Sequence, residues 1–378
     1  MHGKTAFLSL CSALLPLFSG ALHAQTFAEI GRMAMQNGDY KNAVEQYEKA
    51  LTAALKVLKE EDLQVVVRHA ELGDAYRAAG RWSAAIQQLD YAWKRARHDA
   101  ETQHRWLGQE GDIAVEYAEK LGRACQGATR YKDAVMVFSY TIQDGVKSGR
   151  DETELLQPCA LLADTLLLLG RDAEADQFIQ QAAQIAERRH ADNAAVRATI
   201  FNGLAKLYER HRQFSKAKPF AERALQTAMS RAEPDAVEVA TLQTNLGGIL
   251  VRLHETDAAW NVLDEARDTL TKKHLEDVEK LIPLNQNLAA VTLQQSKPDV
   301  ALIYAQEALR LCKQRYTSVD PEISKSLGLL ADCYAASKDD EKARTNYKEA
   351  LAIADKALGL DNPQTVELRA AMGRLERK

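Results

Sequence analysis

Apolar and small residues along this chain recur at helical rather than strand spacing. A stripe begins at Tyr40 and continues through Ala43, Tyr47 and Ala50, with Gly38-Asp39 just before it and Ile30-Gly31 before that. Forty-two residues on, the same places hold Trp82, Ala85, Leu89 and Ala92, preceded by Gly80-Arg81 and Leu72-Gly73. The third copy (Leu121-Gly122, Tyr131, Ala134, Phe138) and the fourth (Leu162-Ala163, Gly170, Ala175, Ala182) follow at slightly different spacings. The 42-residue step then locks through Leu204-Ala205, Leu246-Gly247, Leu288-Ala289 and Leu330-Ala331, each with its pair of downstream alanines. The pattern predicts eight helical hairpins. Places where helix axes come closest admit only Gly or Ala, and Leu, Tyr, Phe and Trp fill the wider gaps between them.

These marks closely resemble the tetratricopeptide repeat, whose usual unit is about 34 residues. Eight more residues add about one turn to each helix of the hairpin and keep the apolar faces in register. Asn245-Leu246-Gly247, Asn287-Leu288-Ala289, Asp320-Pro321-Glu322 and Asp361-Asn362-Pro363 resemble, more narrowly, the 42-residue class typified by kinesin light chain. In that class an Asn precedes the Leu-Ala pair and a proline opens the first helix. The Asn is replaced by Glu29, Lys120, Leu161 and Leu329 in repeats one, three, four and eight, so any groove is uneven. The resemblance implies an all-α, right-handed superhelical solenoid of about eight hairpins across residues 25–358, closed by a capping helix in 359–378. Extra residues between Trp93 and Gly122 predict a lengthened hairpin or elbow there.

The first 24 residues read as an export signal: Lys4, an apolar run from Ala6 to Phe18, then small residues at Ser19-Gly20-Ala21 and Ala24. Cleavage is expected after Ala21 or Ala24, leaving a periplasmic or secreted chain with no membrane span. Loss of Lys4 takes the formal net charge from −4 to −5, and a mildly acidic chain argues against nucleic acid as a partner. Cys125, Cys159, Cys312 and Cys333 would remain. Placed on stacked helices, the paired candidates are offset by roughly 10 Å along the axes, beyond disulfide reach, so buried free thiols are expected.

Motifs for catalysis, phosphate loops or metal ligation are missing, and the carboxylate pairs Glu60-Glu61 and Asp339-Asp340 fall in turns. The reading is of a non-enzymatic chain without cofactor or metal. His69 reads as a packing residue. Candidate chemistry lies instead on the first helices, which line the concave face of this fold. With the Gly/Ala after the leucine as a mark, the groove-facing positions are taken as two, three and six before it and one, four and five after it. In repeats five to seven these supply Asn202, Lys206, Arg210, Thr241, Thr244, Asn245, Arg252, Gln286, Asn287 and Gln294. Val251 and Leu293 are expected to form apolar pockets, with Leu167 and Leu168 adding one in repeat four.

Amides both donate and accept, which suits the N–H and C=O groups of an extended peptide. The resemblance implies that Asn245 and Asn287 clamp such a backbone. Lys206, Arg210 and Arg252 would favour an acidic ligand. A carboxylate clamp of the kind one subclass uses is incomplete, because Pro283 and Asn287 stand where its last cations belong. Two functions are therefore expected from sequence. The first is an exported scaffold that holds a peptide or partner protein in the groove. The second is a self-assembling subunit of an envelope or secretion complex that uses the convex face or the ends.

Overall fold

The computed structural model describes residues 22–102, 109–272 and 278–377; side chains of 109–111 are not described. Most of the expected export signal lies outside these residues. Among those described there are seventeen α-helices, one 3-10 turn and no strand. Unit one (1–185) carries α1 (22–36), α2 (Tyr40–Leu55), α3 (Leu63–Ala78), α4 (Trp82–Thr102), α5 (Gln109–Gly127), α6 (Tyr131–Lys147), α7 (Leu156–Leu168) and most of α8 (Asp172–Arg189). Unit two (186–378) carries α9 (Ala194–Arg210), α10 (Phe214–Met229), α11 (Ala236–Arg252), α12 (Thr256–Lys272), α13 (Val278–Gln294), α14 (Pro298–Arg315), α15 (Pro321–Ala336), α16 (Asp340–Ala357) and α17 (Pro363–Leu375). Consecutive helices pair into antiparallel hairpins. No described helix is long and apolar enough to cross a membrane.

Helix starts follow local chemistry. Asp62, Asp235, Asp320 and Asn362 cap first helices by accepting from backbone N–H groups two residues on. Pro321 and Pro363 sit in the first turns, where no N–H is missed. Each first helix ends in one left-handed residue: Gly38, Gly80, Thr129, Gly170, Arg212, His254, Ser296 and Lys338. The next residue's N–H reaches back to close the end, as Lys297 N does to Thr292 O at 3.0 Å. That turn fixes the bend into the second helix.

Inside the hairpins, the small residue of the first helix meets a large side chain of the second. A Cβ built on Gly247 would lie 2.5 Å from Leu263, and one on Gly73 would lie 2.6 Å from Leu89. Gly31 faces the Tyr47 ring and Gly122 the Phe138 ring in the same way. The second-helix alanines 43, 50, 85, 92, 217, 224, 259, 266, 301, 308, 343 and 350 are fully buried, as close packing between helices requires. The elbow expected after Trp93 takes the form of a long α4 of 21 residues and an α5 of 19.

All four described cysteines are buried and unbridged. Burial pushes the Cys125 and Cys159 thiols up to about 11 and Cys333 up to about 12. His69 is half-buried, contacts Gln88 at 2.7 Å and stacks on Tyr91; burial lowers its pKa. At the far end, α17 lays Leu368 and Leu375 on α15 and α16, with Leu368 over Gly328.

Gly247→Val should lower the unfolding free energy by about 1–3 kcal/mol through overpacking against Leu263. Ser296→Gly should raise it by about 1 kcal/mol by relieving a left-handed non-glycine residue. Urea unfolding midpoints of the two variants shifting in opposite directions would check both assignments.

Candidate functional site

The candidates of repeats five to seven lie in unit two, on α9, α11 and α13, and Leu167 and Leu168 of repeat four lie in unit one, on α7. The structure sorts the six marked positions by their direction around the helix. Residues six before and one after the mark are seven apart, two turns, and share a face with the residue five after. Lys206, Arg210 and Arg252 stand exposed there, with Thr241 half-buried.

The residues three before the mark turn instead toward the adjacent first helix. Thr244 and Gln286 are buried at 3% exposure each. Thr244 bonds its own helix at Ala240 O, and Gln286 donates to Ser326 Oγ at 2.9 Å. Val251, expected to wall an apolar pocket, is also packed away at 6% exposure, while Leu293 is half-buried. In repeat four Leu167 is buried at 7% exposure and Leu168 is exposed. A position four after the mark lies a full turn from the mark itself, so it shares much of that residue's packed side.

The amides are stitched. Asn245 Nδ2 donates to Asn202 Oδ1 at 3.0 Å, Asn287 Nδ2 to Thr244 O at 3.0 Å, and Gln294 Nε2 to Val251 O at 2.8 Å. Each bond joins a first helix to the preceding one. Gly248 makes room for this: a Cβ there would come within 2.9 Å of Asn287 Nδ2. One donation each leaves Asn245 and Asn287 with a second N–H and with acceptor capacity beyond the bond to the preceding helix. Near the amino-terminal ends of α9 and α11, Thr199, Asn202, Thr241 and Leu242 border a cleft of about 330 Å³, with Lys280 at its edge.

Charged groups cross the concave face. Glu209 is half-buried; burial lifts its carboxyl above the ordinary range, against the pull of Lys325, Lys206 and Arg252. Asp332 is open to solvent yet hemmed in by protein, and desolvation raises it too, opposed by a hydrogen bond from the Tyr347 hydroxyl and by Arg374 and Arg252. Arg252 thus lies between carboxylates of α9 and α15. Arg212, just past α9, pairs with Glu367 of α17.

Sequence reading stopped short of these residues, although its own rule reaches them. Glu209 is four after the mark Ala205, Lys325 and Asp332 are six before and one after Ala331, and Glu367 and Arg374 hold the same two places around Gly373. Among the described residues no group of three or more His, Cys, Asp or Glu is placed to hold a metal ion.

Sequence models of the tetratricopeptide repeat match residues 22–92, 156–230 and 324–357, so the chain carries tetratricopeptide repeats in both units. No curated protein matches the sequence significantly. Among solved structures, the apo form of RapI is similar over 94% of this chain and 98% of its own, at 13% identity and a TM-score of 0.51. Aspartyl phosphate phosphatase F from Bacillus subtilis is similar over 96% of this chain and 76% of its own, at 12% identity and a TM-score of 0.51. BtubC (BKLC) from P. vanneervenii aligns with 65% of this chain and 90% of its own, at 21% identity and a TM-score of 0.46. The likeness to the first two shows a shared fold and nothing more.

A carboxyl raised in the folded state keeps its proton after the unfolded chain has lost it. Glu209 should therefore subtract stability as pH rises above its ordinary 4.5. Glu209→Gln should be more stable than wild type at neutral pH, with the difference vanishing below that value; denaturant unfolding at both pH values checks the sign.

Proposed function

We propose that this chain is an exported, non-enzymatic scaffold that holds an extended peptide or a segment of a partner protein along the concave face of α9, α11 and α13. One observation carries the reading: Asn245 and Asn287, both half-buried and with amide capacity beyond their bond to the preceding helix, lie in a row of first helices that also presents the exposed cations Lys206 and Arg252. Amides in a row suit the N–H and C=O groups of an extended chain, and flanking cations suit its carboxylates.

The stitching changes how this is tested. Asn287→Ala would remove a bond between α13 and α11 and lower stability by about 1 kcal/mol, which mixes folding with binding. Lys206→Ala with Arg252→Ala removes two exposed concave cations that also offset Glu209 and Asp332, so its binding is measured at a temperature where both proteins are shown to be folded. That variant should bind a partner first identified by capture from envelope extract more weakly by about 1.5–3 kcal/mol per lost charged contact. Equal affinity by calorimetry would remove the groove from consideration.

A second reading, self-assembly through the convex face or an end, is favoured by the exposed Ile30, Met33 and Tyr40 of the first hairpin. It predicts a mass that grows with concentration in light scattering and falls back with Met33→Glu.

On the export reading, the first described helix distinguishes the two cleavage bonds: Ala24 is 5% exposed and packs with Ala54 and Val65, so cleavage after Ala21 would retain a core residue that cleavage after Ala24 removes. Amino-terminal sequencing of protein from the envelope fraction should begin at Leu22. An intact Met1 would overturn export with processing, and Gln25 would overturn the choice of bond.

A further inference from the structure

The ion pair between Arg212 and Glu367 joins parts of the chain 155 residues apart. Arg212 closes α9, the first helix of unit two, and Glu367 belongs to α17, the last. Between them in sequence lie α11, α13 and α15, whose exposed side chains form the concave face. The link therefore spans that face. Other charges on these helices influence one another at longer range: Glu209 is pulled by Lys325, Lys206 and Arg252, and Asp332 by Arg374 and Arg252.

A second, independent observation concerns how α17 is held. It is a half repeat with no following helix packed on it among the described residues, and it buries Thr365, Leu368 and Leu375. α15, by contrast, buries eight residues. Thr365 occupies the place that Ile323 holds 42 residues earlier, and its hydroxyl is fully buried without a partner. An unpaired buried hydroxyl disfavours the docked state. The remaining polar ties of α17 are one from the half-buried Gln364 Nε2 to Pro321 O at 3.4 Å and two on the surface: Arg369 to Asp355 at 2.9 Å, and Glu367 to Arg212, whose side chains are each about half exposed. Exposed pairs contribute little and are screened by salt. The last helix is thus docked by a modest apolar contact and steered by charge toward the opposite wall.

We propose that α17 is a strap that closes the concave face of unit two in the empty protein, and that an incoming chain must part Glu367 from Arg212 to enter. The inference rests on the concave face being the binding surface, and it adds an autoinhibitory contact to that surface.

The test needs no ligand. In the full chain carrying Cys11→Ser, Lys206→Cys places one thiol on the concave face; the four native cysteines of the described residues are buried and their thiols raised, so they react slowly. Its labelling by a bulky polyethylene glycol maleimide is compared with that by small N-ethylmaleimide in three backgrounds: unaltered, Glu367→Arg, and Arg212→Glu with Glu367→Arg. Hydrogen exchange of the α17 amides is followed in the same proteins.

The charge reversal should speed bulky labelling by about two- to five-fold, the range an exposed ion pair controls, with the small reagent unaffected. It should raise α17 exchange to match, and the charge swap should restore both. Equal bulky labelling in all three backgrounds would overturn the strap. So would acceleration that the swap leaves in place, since that would mean that Glu367→Arg merely damages α17. The groove reading itself fails by a different result, unchanged partner affinity in Lys206→Ala with Arg252→Ala.

Discussion

Four hairpins of this molecule hang on a contact between a glycine and a large side chain sixteen positions later, and in the hairpins marked by Ala205 and Ala289 both partners are small. Gly31 against Tyr47, Gly73 against Leu89, Gly122 against Phe138 and Gly247 against Leu263 set how closely the two helices of a hairpin approach. Once that distance is fixed, the fully buried alanines of the second helix have room for a neighbouring helix and for little else. The repeat is the propagation of one steric fit, in which stability is passed from neighbour to neighbour rather than gathered in one centre.

The same closeness explains why polar side chains between first helices act as stitching. Carboxamides two before the mark lie over the preceding helix and find its carbonyl or amide oxygens, as Asn287 does at Thr244. The helix below must be narrow at that point, and Gly248 makes it so. An amide at such a place uses one N–H to hold the stack together and keeps the rest of its hydrogen-bonding capacity.

The helical hairpins and the buried thiols were legible in the sequence, because each rests on a local rule: small residues where axes meet, and axial offsets too large for a disulfide. The candidate site was legible only in part. Offsets from the mark found the exposed Lys206, Arg210 and Arg252, but could not tell an inward from a sideways direction, which placed Val251 and Gln286 on the wrong side. The charges of α15 and α17 went unread for another reason. Arg212 and Glu367 are related by the curvature of the stack across several repeats, and a 42-residue period carries no record of which distant helices come to face one another.

Four buried, unpaired thiols have a consequence for how this protein is made. Nothing in the described fold waits for an oxidant, an isomerase or the correct choice among competing bridges, and no thiolate is presented to start a wrong one. Among the described residues the order of assembly is therefore set by how hairpins dock, with no covalent step to wait for.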